Sequence, residues 1–330
     1  MSFQKIGVVG GGAWGTALAL VAARAGRDVT LYARDADTVS SINGSRQTPR
    51  LPGITLDRPI YATGELAQAV DADAVLLVTP AQTTRKLAAE MAPFLRKGTP
   101  VVLCAKGLEH GSGKLLGDVL AEALPGAQAA VLSGPSFASD VARGLPTAVT
   151  VAAGDAELAD DLARALACDS LRPYSSTDLV GVQIGGALKN VLAIPCGVIV
   201  GRGLGASAQA ALIARGFAEL SRLAKAMGAQ SETLSGLSGL GDLVLTASSP
   251  QSRNMAFGIE VGRGRSVAEL TAPGTKLVEG VHTAPVAVEL GKREGVELPI
   301  CEVVASVLAG ELSVEDALQA LMSRPLKREN

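Results

Sequence analysis

Gly10, Gly12 and Gly15 stand in a Gly-x-Gly-x-x-Gly register, directly between an apolar run, Ile6–Val9, and a stretch of helical periodicity that starts at Ala13. That junction leaves little choice of fold. The first glycine permits a tight turn, the second lets a pyrophosphate approach the backbone, and the third lets the helix lie against the strand, while the helix N-terminus offers amide donors to an anion. The pattern predicts a βαβ unit that carries a dinucleotide, and the sequence beyond it extends the same plan. Apolar runs at Val29–Tyr32, Ala74–Thr79, Val101–Ala105, Ala129–Ser133 and Ala148–Ala152 alternate with helical stretches at Ala13–Ala25, Thr83–Leu95 and Leu115–Leu124. These runs are apolar almost throughout, as strands of a parallel sheet covered on both faces must be. The expected N-terminal architecture is a Rossmann-type, doubly wound parallel sheet, α/β in class. Within it, Asp35–Thr63 holds Asn43-Gly44, Pro49, Pro52-Gly53 and Pro59 and reads as a partly ordered loop with one short helix, placed to overhang a ligand.

Beyond Leu171, long Ala-, Leu- and Gly-rich segments replace the β-rich runs: Gly181–Val200, Ser207–Met227, Ser266–Leu270, Thr283–Glu294, Val303–Leu308 and Val314–Met322. An all-α C-terminal domain is expected, with residues 1–179 forming the dinucleotide-binding domain and 180–330 the helical substrate-binding domain. Two domains suit a chain of 330 residues, since domains commonly run to about 100–200 residues each. With 38 glycines and 3% aromatic residues, the helices are expected to pack closely through small side chains. The charged end from Pro325 to Asn330 is expected to fray.

Thirty Lys and Arg against 32 Asp and Glu give a net charge of −2, so no global basic field draws nucleic acid or anionic lipid. No uninterrupted apolar stretch reaches the ~20 residues of a membrane span, and the greasiest, Val191–Val200, contains Pro195 and reads as a buried helix. Membrane insertion is therefore not expected. Cys104, Cys168, Cys196 and Cys301 lie far apart in apolar neighbourhoods and read as reduced core residues. The two histidines, His110 and His282, have no acidic or cysteine cluster at ligand spacing, which argues against a metal site and against a Ser-His-Asp hydrolase. Met1 to Lys5 lacks the pattern of a secretory signal, and a cytoplasmic location is expected.

A few polar residues stand where chemistry is most easily read. About twenty residues past the glycines the second strand ends in Arg34-Asp35. A guanidinium there suits a ribose 2′-phosphate and favours NADP(H), whereas Asp35 one step later suits a 2′-hydroxyl and leaves NAD(H) open. Lys106 ends another strand, at the sheet edge where α/β proteins bind ligands; a snorkelling surface lysine is the plainer alternative. The segment Gly107–Leu115 superficially resembles a mononucleotide phosphate loop but fails its register at Leu108 and Leu115. Lys189 and Asn190 sit inside a run of small and apolar residues, and a buried lysine needs a partner and acquires a lowered pKa suited to proton transfer. Asp242, alone among glycines and aliphatics, is a natural partner or else a helix N-cap. Ser252, Arg253 and Asn254 suit either a phosphate grip or a capped helix start, and Ser133–Ala138 either lines the same crevice or is an ordinary turn.

Taken together these residues resemble the bacterial NAD(P)-dependent glycerol-3-phosphate dehydrogenases over essentially the whole chain. Beyond the glycine fingerprint with its Trp14, the family's blocks recur in order: Ala105–Glu109, Ser133–Ala138, Gly181–Gln183, Lys189–Val191, Gly239–Leu243, Gln251–Asn254 and Val278–Gly280. The resemblance implies metal-free hydride transfer between nicotinamide C4 and C2 of dihydroxyacetone phosphate, giving sn-glycerol 3-phosphate, a phospholipid precursor. It implies that Lys189 is the general acid/base, that Lys106 contacts substrate and cofactor, and that Asp242 orients Lys189. It implies further that Gly134, Ser136, Asn190, Ser252, Arg253 and Asn254 line the substrate site. Gly10, Gly12, Ala13, Trp14, Gly15, Arg34, Ala138, Leu277 and Glu279, with Arg253 nearby, would complete the cofactor pocket. Ala13 and Met255-Ala256 depart from residues common in the family. A homodimer is expected as the commonest closed assembly. Two other readings compete: a two-domain hydroxy-acid or ketopantoate reductase, and a non-catalytic nicotinamide sensor, against which the apolar settings of Lys106, Lys189 and Asp242 argue.

Overall fold

The apolar runs expected as strands do form them, and two further strands join the sheet. A computed structural model describes residues 3–326 and 328; Met1, Ser2 and, from the charged end, Lys327, Glu329 and Asn330 lie outside the described residues. The strands are β1 (Lys5–Val9), β2 (Asp28–Tyr32), β3 (Tyr61–Thr63), β4 (Ala74–Leu77), β5 (Pro100–Leu103), β6 (Gln128–Ser133), β7 (Thr147–Ala153) and β8 (Leu171–Ser176). They form one sheet in the order β3-β2-β1-β4-β5-β6-β7-β8. Neighbours run parallel except β6 and β7, which pair antiparallel from Ala130 with Ala153 to Ser133 with Thr150. The expected wholly parallel sheet is thus mixed beyond β6.

Alternation along the central strands shows why they are apolar on both sides. Ala74 and Leu76 of β4 and Val102 of β5 belong to one core, and Val75, Leu77, Val101 and Leu103 to another. Covering these two faces are α1 (Ala13–Arg24), α2 (Ala36–Ser45), α3 (Leu66–Val70), α4 (Thr84–Met91), α5 (Leu116–Ala123), α6 (Ala138–Ala142) and α7 (Ala156–Leu166). The stretch expected as a partly ordered loop with one short helix has that helix and, beyond it, strand β3. Asn43-Gly44 lies inside the ten-residue α2, because the Asn43 amide clasps the β3 backbone, donating to the Ala62 carbonyl at 2.8 Å and accepting from the Ala62 N–H at 2.9 Å. The irregular part shrinks to residues 46–60. Edge strand β8 contains Pro173, which an edge tolerates and a central strand does not.

From Leu179 onward the described chain is helical: α8 (Leu179–Arg202), α9 (Ala206–Ala226), α10 (Ser231–Ser235), a π-helical turn (Leu237–Gly241), α11 (Asp242–Ser248), α12 (Arg253–Gly262), α13 (Val267–Leu270), α14 (Glu279–Arg293), α15 (Pro299–Ala309) and α16 (Val314–Met322). Asp178 caps α8, accepting from Gly181 N, and also holds Gln230 N. Pro195 does not break the helix, which runs 24 residues to a left-handed Gly203 cap. By length and composition α8 could cross a bilayer, but 78% of its most apolar window is buried within the protein. It is the central helix of this half. Where it meets α12 the backbones touch: a Cβ on Gly197 would lie 2.1 Å from Met255 O, and one on Gly258 would lie 2.0 Å from Ile194 O. Cys104, Cys196 and Cys301 are buried with unpaired thiols, whereas Cys168 is only half-buried.

A buried carboxylate ties α9 to α15. Glu219 accepts from the Ile300 N–H at 2.8 Å and the Cys301 N–H at 3.3 Å at the start of α15. Burial nevertheless pushes its carboxyl up to about 7 from an ordinary 4.5, with Arg222 opposing that shift and Glu302 adding to it. Between these values the folded chain keeps a proton that the unfolded chain releases, so this group's contribution to stability declines as pH rises through that window. Its full span is on the order of 3 kcal/mol. Glu219→Gln should therefore gain stability relative to the parent between pH 5 and 8 in urea melts. Parallel stability curves would show that Glu219 stays ionised throughout.

Candidate active site

The glycine loop opens at the carboxyl end of β1, beside β4, where the order of connection reverses and α/β sheets bind ligands. Gly10 has φ of +132°, and a Cβ there would lie 2.3 Å from Val78 O. On Gly15 a Cβ would lie 1.8 Å from Gly10 O, whereas Gly12 faces open space with nothing within 4 Å. Two glycines thus serve the fold and the third leaves room for a ligand. Gly12 caps α1 and Ala13 begins it, so unpaired amides face that space. At the end of β2, Arg34 is exposed and forms no hydrogen bond or ion pair among the described residues. Asp35 is committed elsewhere: it caps α2, accepting from the Thr38 hydroxyl at 2.6 Å and from Asp37 N. The Thr38 bond, foremost, holds its carboxyl below the usual range.

The second group of residues gathers around one carboxylate. Asp242 binds Lys189 through Oδ1 and Lys106 through Oδ2, the latter at 2.8 Å. It is the first residue of α11, directly after the π-helical turn, and its side chain is 1% exposed. Its carboxylate therefore serves the lysines and does not act as an N-cap. Lys106 follows β5 and also donates to Gly134 O at 2.9 Å; it is held inward, not snorkelling. Lys189 also donates to the Thr246 hydroxyl at 2.9 Å. Burial foremost, with Lys106 adding to it and Asp242 opposing, draws the Lys189 ammonium down to about 7. An ammonium has three donors, so each lysine keeps one N–H uncommitted. Two glycines allow this assembly: a Cβ on Gly185 would lie 2.5 Å from Ser238 O in the π-helical turn, and one on Gly186 would lie 2.8 Å from Ser133 Oγ, beside Lys106.

Other expected residues surround this core. Gly134, with φ of +143°, turns the chain after β6, and the Ser136 hydroxyl donates back to its carbonyl. Asn190 donates to Lys106 O at 3.0 Å and accepts from the Asn254 amide at 2.9 Å, while Asn254 Oδ1 accepts from Gly280 N. This chain of amides links α8, α12 and α14. Ser252 caps α12, accepting from Met255 N, so the helix-start reading applies to it. Arg253 is exposed and donates to Leu277 O at 3.0 Å. Seven buried side-chain polar atoms lack a protein partner among the described residues, and Trp14 Nε1, Ser133 Oγ and Glu279 Oε2 are three of them. Burial raises the Glu279 carboxyl, against the Ala81 N–H and the Arg253 charge. Ala138 starts α6, which packs on α1. The orphaned Trp14 donor in the first turn of α1, beside the open space at Gly12, fits a bound dinucleotide. Thr246 was not expected; its signal is the i, i+4 spacing from Asp242 on one helix face.

Such an arrangement can deliver one proton from a buried amine while a second cation offsets negative charge at the same oxygen. The chain matches the NAD-dependent glycerol-3-phosphate dehydrogenase N-terminus over residues 5–159 and the corresponding C-terminus over residues 178–319. A glycerol-3-phosphate dehydrogenase (NAD(P)+) of a Bradyrhizobium species is 60% identical over 99% of both chains. One of Parvibaculum lavamentivorans is 54% identical over 100% of this chain and 99% of its own. The crystal structure of glycerol-3-phosphate dehydrogenase from Coxiella burnetii superposes with a TM-score of 0.91 at 36% identity, covering 98% of this chain and 99% of that one. Two family models in sequence order, high identity end to end and a shared fold give one answer: the chain belongs to the NAD-dependent glycerol-3-phosphate dehydrogenase family.

Proposed function

We propose that the chain catalyses the reversible NAD(P)H-dependent reduction of dihydroxyacetone phosphate to sn-glycerol 3-phosphate. The observation that carries this reading is the pair of lysines on the two oxygens of Asp242, each with one N–H to spare. The nicotinamide cofactor, when bound, supplies the hydride for C2 of the substrate. Lys189 gives its proton to the C2 oxygen as negative charge develops there, and takes it back in the reverse direction. Lys106 offsets that charge. Asp242 and Thr246 aim the Lys189 amine. Gly134, Ser136, Asn190, Ser252, Arg253 and Asn254 line the substrate side, while Trp14, Ala138, Leu277 and Glu279, with Arg253 nearby, face the cofactor. The product would supply glycerophospholipid synthesis.

NADP(H) is the preferred cofactor in this reading, with NAD(H) also used. Its support is the unpartnered Arg34 guanidinium beside an Asp35 carboxylate already engaged in capping α2. Residues 1–179 hold the dinucleotide and 180–330 bring most of the substrate contacts, and the enzyme works as a homodimer. All its reactants are water-soluble anions, which suits the cytoplasm.

The deciding assay is loss of NADPH and, separately, NADH absorbance on adding dihydroxyacetone phosphate, with ketopantoate and simple 2-keto acids as controls. Rapid oxidation with dihydroxyacetone phosphate alone is the expected result, and turnover of a keto acid in its place would defeat the proposal. Arg34→Ala should raise KM for NADPH by about 10–100-fold, the range of one or two lost charge-assisted hydrogen bonds, and leave NADH little changed. Equal effects would remove Arg34 from 2′-phosphate recognition.

A further inference from the structure

The substrate crevice does not account for a second cavity, of about 370 Å³, between α8, α15 and α16. That volume falls in the range of small-molecule sites. Its walls are aliphatic, with Ile194, Val261, Ile300, Val304 and Leu321 among them, and neither an aromatic ring nor an amide side chain lines it. Arg202 and Glu315 are the charged residues of its lining, and they form an ion pair with each other. This pair stands at the solvent end, where Leu204 and Leu318, also of the lining, are 43% and 44% exposed. Its deep end, lined by buried aliphatic side chains, offers water no polar partner and accepts apolar guests. Left empty, it forfeits the contacts its walls would otherwise make.

We infer that this cavity binds an unbranched anionic amphiphile, with the alkyl chain inside and the carboxylate on Arg202. Flexible aliphatic walls without a flat ring suit a chain better than a planar ligand. From Ile194 to Arg202 the wall follows eight residue steps of α8, about 12 Å at 1.5 Å per residue, which matches about eight to ten carbons. The head group takes the place of Glu315, whose side chain is already 66% exposed, so the displaced ion pair is of the surface kind that contributes little. A carboxylate binds the Arg202 guanidinium through two oxygens. Helix α16 rests chiefly on α15, so it can shift to admit the chain.

The test is calorimetric titration of the full chain with decanoate, decanol and decyltrimethylammonium below their micellar concentrations. Saturable one-to-one binding of decanoate is expected, with the ammonium compound at least about tenfold weaker. Arg202→Gln should weaken decanoate by about fivefold or more while leaving decanol within about twofold. Val307→Phe, which fills the cavity from α15, should abolish binding of both while turnover in the absence of amphiphile is unchanged. If that variant fails to fold, Leu318→Trp at the rim reads the same loss. Absence of saturable binding to the parent chain overturns the inference, as does undiminished binding to a folded, cavity-filled variant. A parent that binds no decanoate, with Leu318→Trp altering its sedimentation as an oligomer, would show that a second copy covers the opening.

Discussion

Lys189→Met should lower turnover of dihydroxyacetone phosphate by about 10²–10⁴-fold, the range expected for loss of a positioned general acid. NADPH affinity should be little changed, because the residue lies on α8 and the glycine cradle at the end of β1. Methionine keeps the length and apolar stem of lysine in a buried position, so the comparison isolates the proton. The pH dependence adds a directional check. With the amine drawn down to about 7, reduction needs the protonated form and should slow as pH rises through that value. Oxidation of sn-glycerol 3-phosphate needs the free amine and should quicken over the same interval. Stopped-flow traces in both directions, with product release separated from chemistry, would show two opposed limbs. A parent enzyme with the same pH limb in both directions would remove Lys189 from proton transfer.

Asp242→Ala should be the most damaging single change in the fold as well as in turnover. It leaves the Lys189 and Lys106 ammonium groups side by side with 8% and 15% side-chain exposure and no counter-charge between them. Removing one member of a buried ion pair typically costs about 3–5 kcal/mol. Lys189 can escape by losing its proton, which moves its pKa lower still and depletes the acid form at neutral pH. The loss of turnover should therefore shrink as pH is lowered toward 5, whereas the loss in denaturant midpoint should persist. Asp242→Asn, which keeps an acceptor for one lysine, should fall between the parent and the alanine variant in both measurements. Equal stability of the alanine variant and the parent would mean that the two lysines do not depend on this carboxylate.

The parts of this fold that could be read from the chain are those in which one segment carries its own signal. The strand–glycine–helix junction at Gly10–Gly15 is of that kind, as are the uniformly apolar β4 and β5. Strand β3 has only three residues and owes its place to the Asn43 clasp, a contact with no local pattern. The antiparallel turn of β7 against β6 is likewise a matter of topology, since Thr147–Ala153 is apolar in either direction. In the site, a lysine among glycines and aliphatics announced a buried cation, and Asp242 its partner. That the same carboxylate also holds Lys106 joins residues 136 positions apart, and spacing along the chain carries no trace of it. Helix α12, with glycines at 258 and 262, reads poorly as a helix because those residues are chosen for its neighbour α8 and lower its own propensity.

The direct contact between α8 and α12 has a consequence for motion. Because main chain meets main chain at Gly197 and Gly258, no side chain lies between the helices there whose rotamer change would let one slide past the other. Lys189 belongs to the first helix and Arg253 to the second, and the amide chain through Asn190 and Asn254 couples them again one turn nearer the crevice. Lys189 and the Arg253 guanidinium are therefore held as one piece, and the Asn190 bond to the Lys106 carbonyl fastens that piece to the end of β5, so a displacement of either helix is felt at both residues and at the strand end together.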